Sequence, residues 1–478
     1  QVVVDMPERT PMEQTQRVLM EMGSYLETVD EVANWQTYAG TASPINFNGL
    51  VRQYYLRGEP YHGDIQVNLI HEENRNRQSH DIAQSLRDPL TEIGERYGAS
   101  VKIVEVPPGP PVLSPVVAEI YAVDEDRRAA LARQVAEGMT RVDGLVDIDT
   151  TLESPTRQWE VVVDRDRAAR LGVSQAQVVA ALQTALGGTN VGFLHDDHAK
   201  YPVPIRVILG EGDKAQPSVL LSLNVRSRGG TLVPLASIAD VREADWMGAI
   251  YHKDLLPVTY VTADMAGEID SPLYGMFAMV ERLNQQAGAP EQYFIDQPPL
   301  PEKGTLKWDG EWQITYETFR DMGAAYSVGV FMIFVLLVAQ FRSYILPLVI
   351  MAPIPLTLIG IMPGHALLGR EFTATSMIGM IALAGIIVRN SILLVVFIRQ
   401  LIEEGVELDE AVVLAGAVRI KPIALTAISA MVGAYFILND PIFNGLAISL
   451  VFGLAMSTLL TVLVVPLLYY TLARCKWV

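Results

Sequence analysis

Cysteine is almost missing from this chain. A single residue, Cys475, stands among 478, so disulfides do not hold the protein together and a cysteine-based structural zinc site is excluded. Positive charge is scarce up to Gly323, where 28 Lys and Arg face 47 Asp and Glu; such an acidic module is a poor fit to nucleic acid. Motifs for nucleotide or acyl chemistry are lacking too. Gly187-Gly188 has no GxGxxG context, and neither a P-loop nor a nucleophile elbow occurs. Nothing argues for an enzyme, and no cofactor is called for. With no initiator Met and no signal peptide, the chain reads as a piece of something longer.

Apolar residues are abundant, at 50% of the chain, and most of the long runs follow Gly323. Five runs, at about 324–341, 345–368, 374–398, 422–438 and 443–472, predict an all-α transmembrane bundle over 324–478. Arg342, then Arg399, Arg419 and Lys421 in one loop, then Arg474 and Lys476 fall on one side, the cytoplasmic side by the positive-inside rule. Residues 1–323 then lie outside, in a periplasm. The aromatic, amphipathic stretch 308–323 suits an interfacial helix before the first span.

Within the third run, Met377–Ile398 is apolar or glycine except for Arg389, Asn390 and Ser391. Twenty-two helical residues span about 33 Å, the thickness of a bilayer core, which puts Arg389 near mid-membrane. Gly379, Ala382 and Gly385 are expected on its face, letting a neighbour helix approach. A charge at that depth needs an acid, and no span here offers one. The plainer alternative is an ion pair that only holds helices together. Arg419 and Thr426 share a face of the fourth span and extend a polar path toward Arg389, unless Arg419, like Lys421, is an ordinary cytoplasmic anchor.

The soluble part reads as α+β. A strand at Val2–Met6, a helix from Thr10 with Glu13 completing a capping box, strands at 32–38 and 65–70, a helix at 81–97 and a strand at 101–106 give β-α-β-β-α-β over 1–106. The proline-rich stretch 106–111 marks a boundary. A second split βαβ unit occupies 115–163 and 257–290 and carries an inserted domain at 164–256. His195, Asp196, Asp197 and His198 have the composition of metal ligands but sit in a loop without support elsewhere, so no metal site is assigned. Met6, Met12, Met20 and Met22 could suggest soft-metal ligands, but Met20 and Met22 lie within a helix, where core or surface is the better reading.

These pieces, in this order, resemble the C-terminal half of the resistance-nodulation-division (RND) exporters, of the hydrophobe-amphiphile type. The match runs from VVVDMP (2–7) through QTALGGTNV (183–191), QFRSYILPL (340–348) and IIVRNSILLVVF (386–397) to RIKPIALTAISAM (419–431). The resemblance implies ferredoxin-like porter subdomains, a docking domain at 164–256, and a homotrimer in a Gram-negative inner membrane. It further implies a periplasmic adaptor (membrane fusion protein), an outer-membrane channel and export by proton antiport. Arg389, Asn390, Arg419 and Thr426 occupy the family's proton-relay positions, around a span-four Asp pair that belongs to the N-terminal half. The family has Lys at the first of them, and Arg departs from that, being forked and never deprotonated. The loop at 39–55 corresponds to a region beside the substrate pocket, with Tyr38 and Phe47 as contact candidates or else as part of a solvated loop. No Met falls between Met22 and Met139, which argues for organic rather than metal cargo. A secretion or assembly factor, a heavy-metal exporter and a separate scaffolding subunit are the alternatives.

Overall fold

The computed structural model describes residues 1–478 except 106–111, 155, 197, 247, 267–270, 287, 299–303, 441 and 476–478. The proline-rich boundary, Asp197 and Lys476 therefore lie outside the described residues. The chain divides into two compact units, one comprising 1–151 with 251–478, the other Leu152–Ile250.

The first subdomain runs β1 (Val2–Asp5), α1 (Met12–Leu26), β2 (Val32–Ala39), α2 (Phe47–Val51), β3 (His62–Leu69), α3 (Ser79–Glu95) and β4 (Ser100–Ile103). Its sheet is antiparallel in the order β2-β3-β1-β4. Strand alternation turns Val2, Val4, Ile65, Val101 and Ile103 toward α1 and α3, which bury Val18, Leu19, Met22, Ile82, Leu86 and Leu90 against them. The same alternation sends Asp5, Asp64 and Lys102 to the opposite face. The capping box expected at Thr10 does not form. Pro11 caps α1, and the Thr10 hydroxyl instead donates to Pro7 O at 2.6 Å.

The second subdomain begins with β5 (Val116–Tyr121), α4 (Glu125–Met139) and β6 (Leu145–Thr150). The insert follows: β7 (Arg157–Val163), α5 (Arg165–Arg170), α6 (Gln175–Gly187), β8 (Thr189–Leu194), β9 (Val203–Val207), α7 (Glu211–Lys214), α8 (Pro217–Ser222), β10 (Asn224–Arg226), β11 (Leu232–Pro234) and β12 (Ala239–Asp245). The subdomain then resumes with β13 (His252–Lys253), β14 (Leu256–Met265), α9 (Pro272–Asn284), β15 (Glu291–Tyr293) and β16 (Thr305–Gly310). Its four main strands run β6-β14-β5-β16, repeating the first subdomain's order, with the insert in the β6–β14 connection.

Three expected boundaries change. β7, expected in the second subdomain, pairs only with β12, ion-paired through Arg157–Glu243 and Arg242–Glu160, so the insert's unit starts at Leu152 rather than 164. The strand that completes the second sheet is β16, beyond the expected limit at 290. Consequently 308–310 is strand, not interfacial helix. Leu306 and Trp308 alternate into the core, where Trp308 is fully buried and donates Nε1–H to Gln292 Oε1 at 2.8 Å. Gly310, at φ 80°, turns the strand into a membrane helix; a Cβ there would lie 2.6 Å from Pro115 O. Within the insert, Ala168, Val173, Val178, Val225, Val233, Leu235 and Ile238 form a small core of their own.

The membrane part comprises α10 (Glu311–Phe341), a second span broken by its prolines into α11 (Ile345–Met351), α12 (Pro353–Leu356) and α13 (Leu358–Leu367), then α14 (Ala374–Glu403), α15 (Leu408–Tyr435) and α16 (Asn444–Arg474). Five helical stretches among the described residues are long and apolar enough to cross a bilayer. Small residues set the packing of α14 on α16: Gly445 lies against Ser376, Gly379 against Ser449, and Gly453 against Leu383. Contacts that ascend both helices together make the pair parallel. The fourth span starts at Leu408, not 422, so Arg419 and Lys421 are helical rather than in one loop with Arg399. Pro422 is accommodated inside α15.

Candidate functional site

Arg389 is the sixteenth residue of the 30-residue α14, about 22 Å from either end at 1.5 Å per residue. Its side chain is exposed, and no hydrogen bond or ion pair joins it to any described residue. It shares an uncovered stripe with Ile378, Ile381, Ala382, Gly385, Leu393 and Val396. Gly379, expected on that stripe, is instead on the buried face. Asn390, one residue on, turns about 100° away and is buried at 4% exposure beside Ser391, whose hydroxyl has no partner among the described residues.

Arg419 stacks its guanidinium over the Phe397 ring, 4.6 Å from the centroid, and its buried Nε–H has no acceptor among the described residues. Phe397 is eight residues after Arg389, about 12 Å along α14, so Arg419 lies nearer the C-terminal end of that helix. The Thr426 hydroxyl donates to Ile423 O at 2.9 Å. The four sequence candidates thus occupy two neighbouring helices, and among the described residues no side-chain hydrogen bond joins one to another. Arg389 and Thr426 are exposed, Arg419 is half-buried and Asn390 is buried.

In the first subdomain, Tyr38 lies on β2 with its hydroxyl donating to Gln36 Oε1 at 2.9 Å. Phe47 opens α2 with its ring half exposed; Asn46 caps that helix, its Oδ1 accepting from Gly49 N at 2.7 Å. They sit on separate elements, a strand and the loop that leaves it.

Sequence reasoning missed a network of buried charges on the sheet faces. Arg57 reaches Asp5 at 2.5 Å, Asp64 at 3.3 Å and Val4 O at 3.0 Å. Lys102 bonds Asp5 at 2.9 Å and also pairs with Asp149 of β6, while Arg87 pairs with Asp147. Arg52 joins Asp264 of β14 at 3.0 Å. Three charge pairs, Lys102–Asp149, Arg87–Asp147 and Arg52–Asp264, therefore bridge the two subdomains. Burial works to raise the Asp5 carboxyl, but Lys102 and Arg57 outweigh it and hold the group well below the usual carboxylate range. Burial wins at Asp147, pushed up to about 6 despite Arg87. His62 is lowered to about 4 by burial and by the neighbouring Arg57.

A second network lies in the other sheet. Glu119 of β5 is fully buried, accepts from Tyr121 Oη at 2.8 Å, pairs with Lys253 and lies 3.9 Å from Lys307. Lys253 also pairs with Asp309 of β16. Burial first, then the adjacent Asp309, pushes the Glu119 carboxyl up to about 7. The signal was present in the strands themselves: VVVDM, SVKI and VVAEIY each place one charge in an apolar run, on the face away from the helices.

Two βαββαβ units, an insert in the second, and an apolar bundle with a lone mid-span arginine define an RND-type membrane transporter. The AcrB/AcrD/AcrF family model matches residues 1–473, and the chain belongs to that family of RND inner-membrane transporters. It is 26% identical over 365 residues to the swarming motility protein SwrC of Bacillus subtilis, covering 75% of this chain and 33% of that protein. It is 26% identical over 368 residues to the cobalt-zinc-cadmium resistance protein CzcA of Cupriavidus metallidurans, with the same coverages. The fold matches crystal structures of a heavy metal efflux pump with TM-scores of 0.75 and 0.73 at 21% identity, over 99% of this chain and 47% of that one. The chain thus spans a third of the length of these curated relatives.

Proposed function

We propose that this chain is the C-terminal half of a proton-driven exporter of organic or amphiphilic compounds. In this reading Arg389 is the cation that answers a titrating carboxylate on the other half. The observation that carries it is the isolation of Arg389: a guanidinium at the middle of a span, turned outward, with no acid among the described residues to meet it. An unpaired charge there is costly, about 2.5–3.5 kcal/mol on insertion scales, so a partner must supply the counter-charge. A carboxylate beside a guanidinium stays ionised; one that gains a proton releases it. Gain and loss of that contact then shift α14, and α16 packed along it, as a unit. Arg419 and Thr426 on α15 and the buried Asn390 line the same region as secondary polar groups.

The remaining assignments follow from the family. Residues 1–323 lie in the periplasm of a Gram-negative cell, the first two subdomains handle substrate at Tyr38 and Phe47, and the Leu152–Ile250 unit docks toward an outer-membrane channel. The working assembly is a trimer with a periplasmic adaptor. A second reading, metal cargo, is favoured by the names of the relatives above, a cobalt-zinc-cadmium resistance protein and a heavy metal efflux pump.

The test uses the full-length transporter. Arg389→Ala abolishes export while leaving the amount of folded protein in the membrane unchanged. Undiminished export by that variant overturns the proton-coupling reading. Susceptibility of cells expressing the intact gene to dyes and bile salts, against cobalt, zinc and cadmium, separates organic from metal cargo.

A further inference from the structure

We propose that Arg52 and Arg57 pin the loop carrying Phe47 to both subdomains at once, so that any separation of the two sheets is carried directly to Phe47. The 22 residues between β2 and β3 cannot hold their own position by apolar packing. Phe47, Leu50, Tyr55 and Leu56 are all exposed. Ser43 N–H donates to Asp64 and Asn46 Nδ2 to Gln1 Oε1 at its start, and beyond them what the loop buries, Asn48 aside, is charge. The Arg57 side chain is 11% exposed and ends on β1 and β3, through Asp5, Asp64 and Val4 O, with the Tyr54 ring 5.7 Å from its guanidinium. The Arg52 side chain is 9% exposed and ends on Asp264 of β14 in the other sheet. Only Gln53 and a turn of 3₁₀ helix, Tyr54–Leu56, separate the two anchors, so the short arm between them has little slack.

The boundary that the anchors straddle is crossed by ion pairs. Lys102–Asp149 and Arg87–Asp147 cross it beside Arg52–Asp264, and polar boundaries of this kind permit relative motion. The two anchors are unequal. Arg57 makes several contacts within one sheet, whereas Arg52 makes a single ion pair to the other. Parting of the sheets therefore breaks Arg52–Asp264 first and frees the C-terminal end of α2, so that the helix bearing Phe47 pivots about its hydrogen-bonded start, while Arg57 keeps the end of the loop in place. Arg52 and Arg57 are positioning residues. The effect on transport rests on the reading of Phe47 as a substrate contact; the pinning does not.

The experiment uses the full-length transporter with its cysteines replaced, Cys475→Ser among them, and a spin label at Phe47→Cys. Arg52→Gln mobilises the label, and the swap Arg52→Asp with Asp264→Arg restores the immobile spectrum, a rescue that a merely structural role would not give. Arg57→Lys, which keeps the charge on the buried carboxylates, guards against loss of folding in Arg57→Gln. Spectra unchanged by Arg52→Gln, or a swap no better than the single variant, overturn the pinning. In unlabelled Arg52→Gln the apparent KM for export rises about fivefold with little change in maximal rate, the pattern of lost substrate positioning. A mobilised label with unaltered export leaves the pins standing and overturns Phe47 as a substrate contact.

Discussion

Lys253→Met removes the one cation that joins Glu119 to Asp309. Glu119 has no solvent exposure, so the substitution strands a carboxylate in the sheet. Breaking a buried ion pair by removing one partner costs roughly 3–5 kcal/mol. Two features reduce that here. The Lys253 side chain is itself 30% exposed, and Lys307 remains 3.9 Å from Glu119. About 2–3 kcal/mol is the loss to expect, or roughly 30- to 150-fold in a local opening equilibrium. Because the protein has several units, hydrogen exchange of 116–121 and 305–310 is the proper readout rather than a global melt. Protection of both strands falls together in Lys253→Met and recovers in part in Lys253→Met/Glu119→Gln, where the fully buried carboxylate is gone while Asp309 and Lys307 each lose a partner. If the two substitutions instead add, with the double variant worse than either single one, stranding of Glu119 is not the cause and the argument fails.

Glu119 also makes the sheet sensitive to pH. Its folded-state pKa of about 7 lies above the ordinary 4.5, so the stability linked to its protonated form is complete below 4.5 and is lost as pH rises through 7. Exchange protection of β5 and β16 is accordingly higher in mild acid than in mild base, and Glu119→Gln flattens that profile. Trp308→Ala empties a fully buried site and costs about 3–5 kcal/mol, read in the same exchange experiment. Gly379→Val drives a side chain into Ser449, whose Cβ lies 2.6 Å from the added one, and forces α14 from α16 at a cost of about 1–3 kcal/mol. A detergent-solubilised variant melting with the wild type would refute that packing.

Much of the architecture was legible as pattern. Long apolar runs read as spans, and strand alternation flanking helical periodicity produced the first βαββαβ unit and the start of the second. Depth along a helix follows from counting, so Arg389 was placed at mid-span from the chain alone. The errors share a cause. β7 was assigned to the second subdomain by neighbourhood in sequence and the strand at 305–310 was not foreseen, whereas pairing is decided by which edge is free. Trp159–Val163 therefore went to β12 in the insert, and Thr305–Gly310, read partly as helix, took the open edge of β5. The start of the fourth span was misjudged because Arg419 and Lys421 look like loop anchors, while a helix continues through them when a ring such as Phe397 receives the guanidinium.

What the chain determines by itself is periodicity, depth and the sign of charge, because these depend on residues close in sequence. Azimuth and partnership were decided only by the tertiary structure. Arg389 and Asn390 are adjacent letters, yet one faces outward and the other is buried, since successive helical residues point about 100° apart and α16 covers just one side of α14. Likewise Arg52 and Arg57 are five residues apart and reach different sheets. Long-range packing sets which carboxylate each one meets, and no local rule contains that choice.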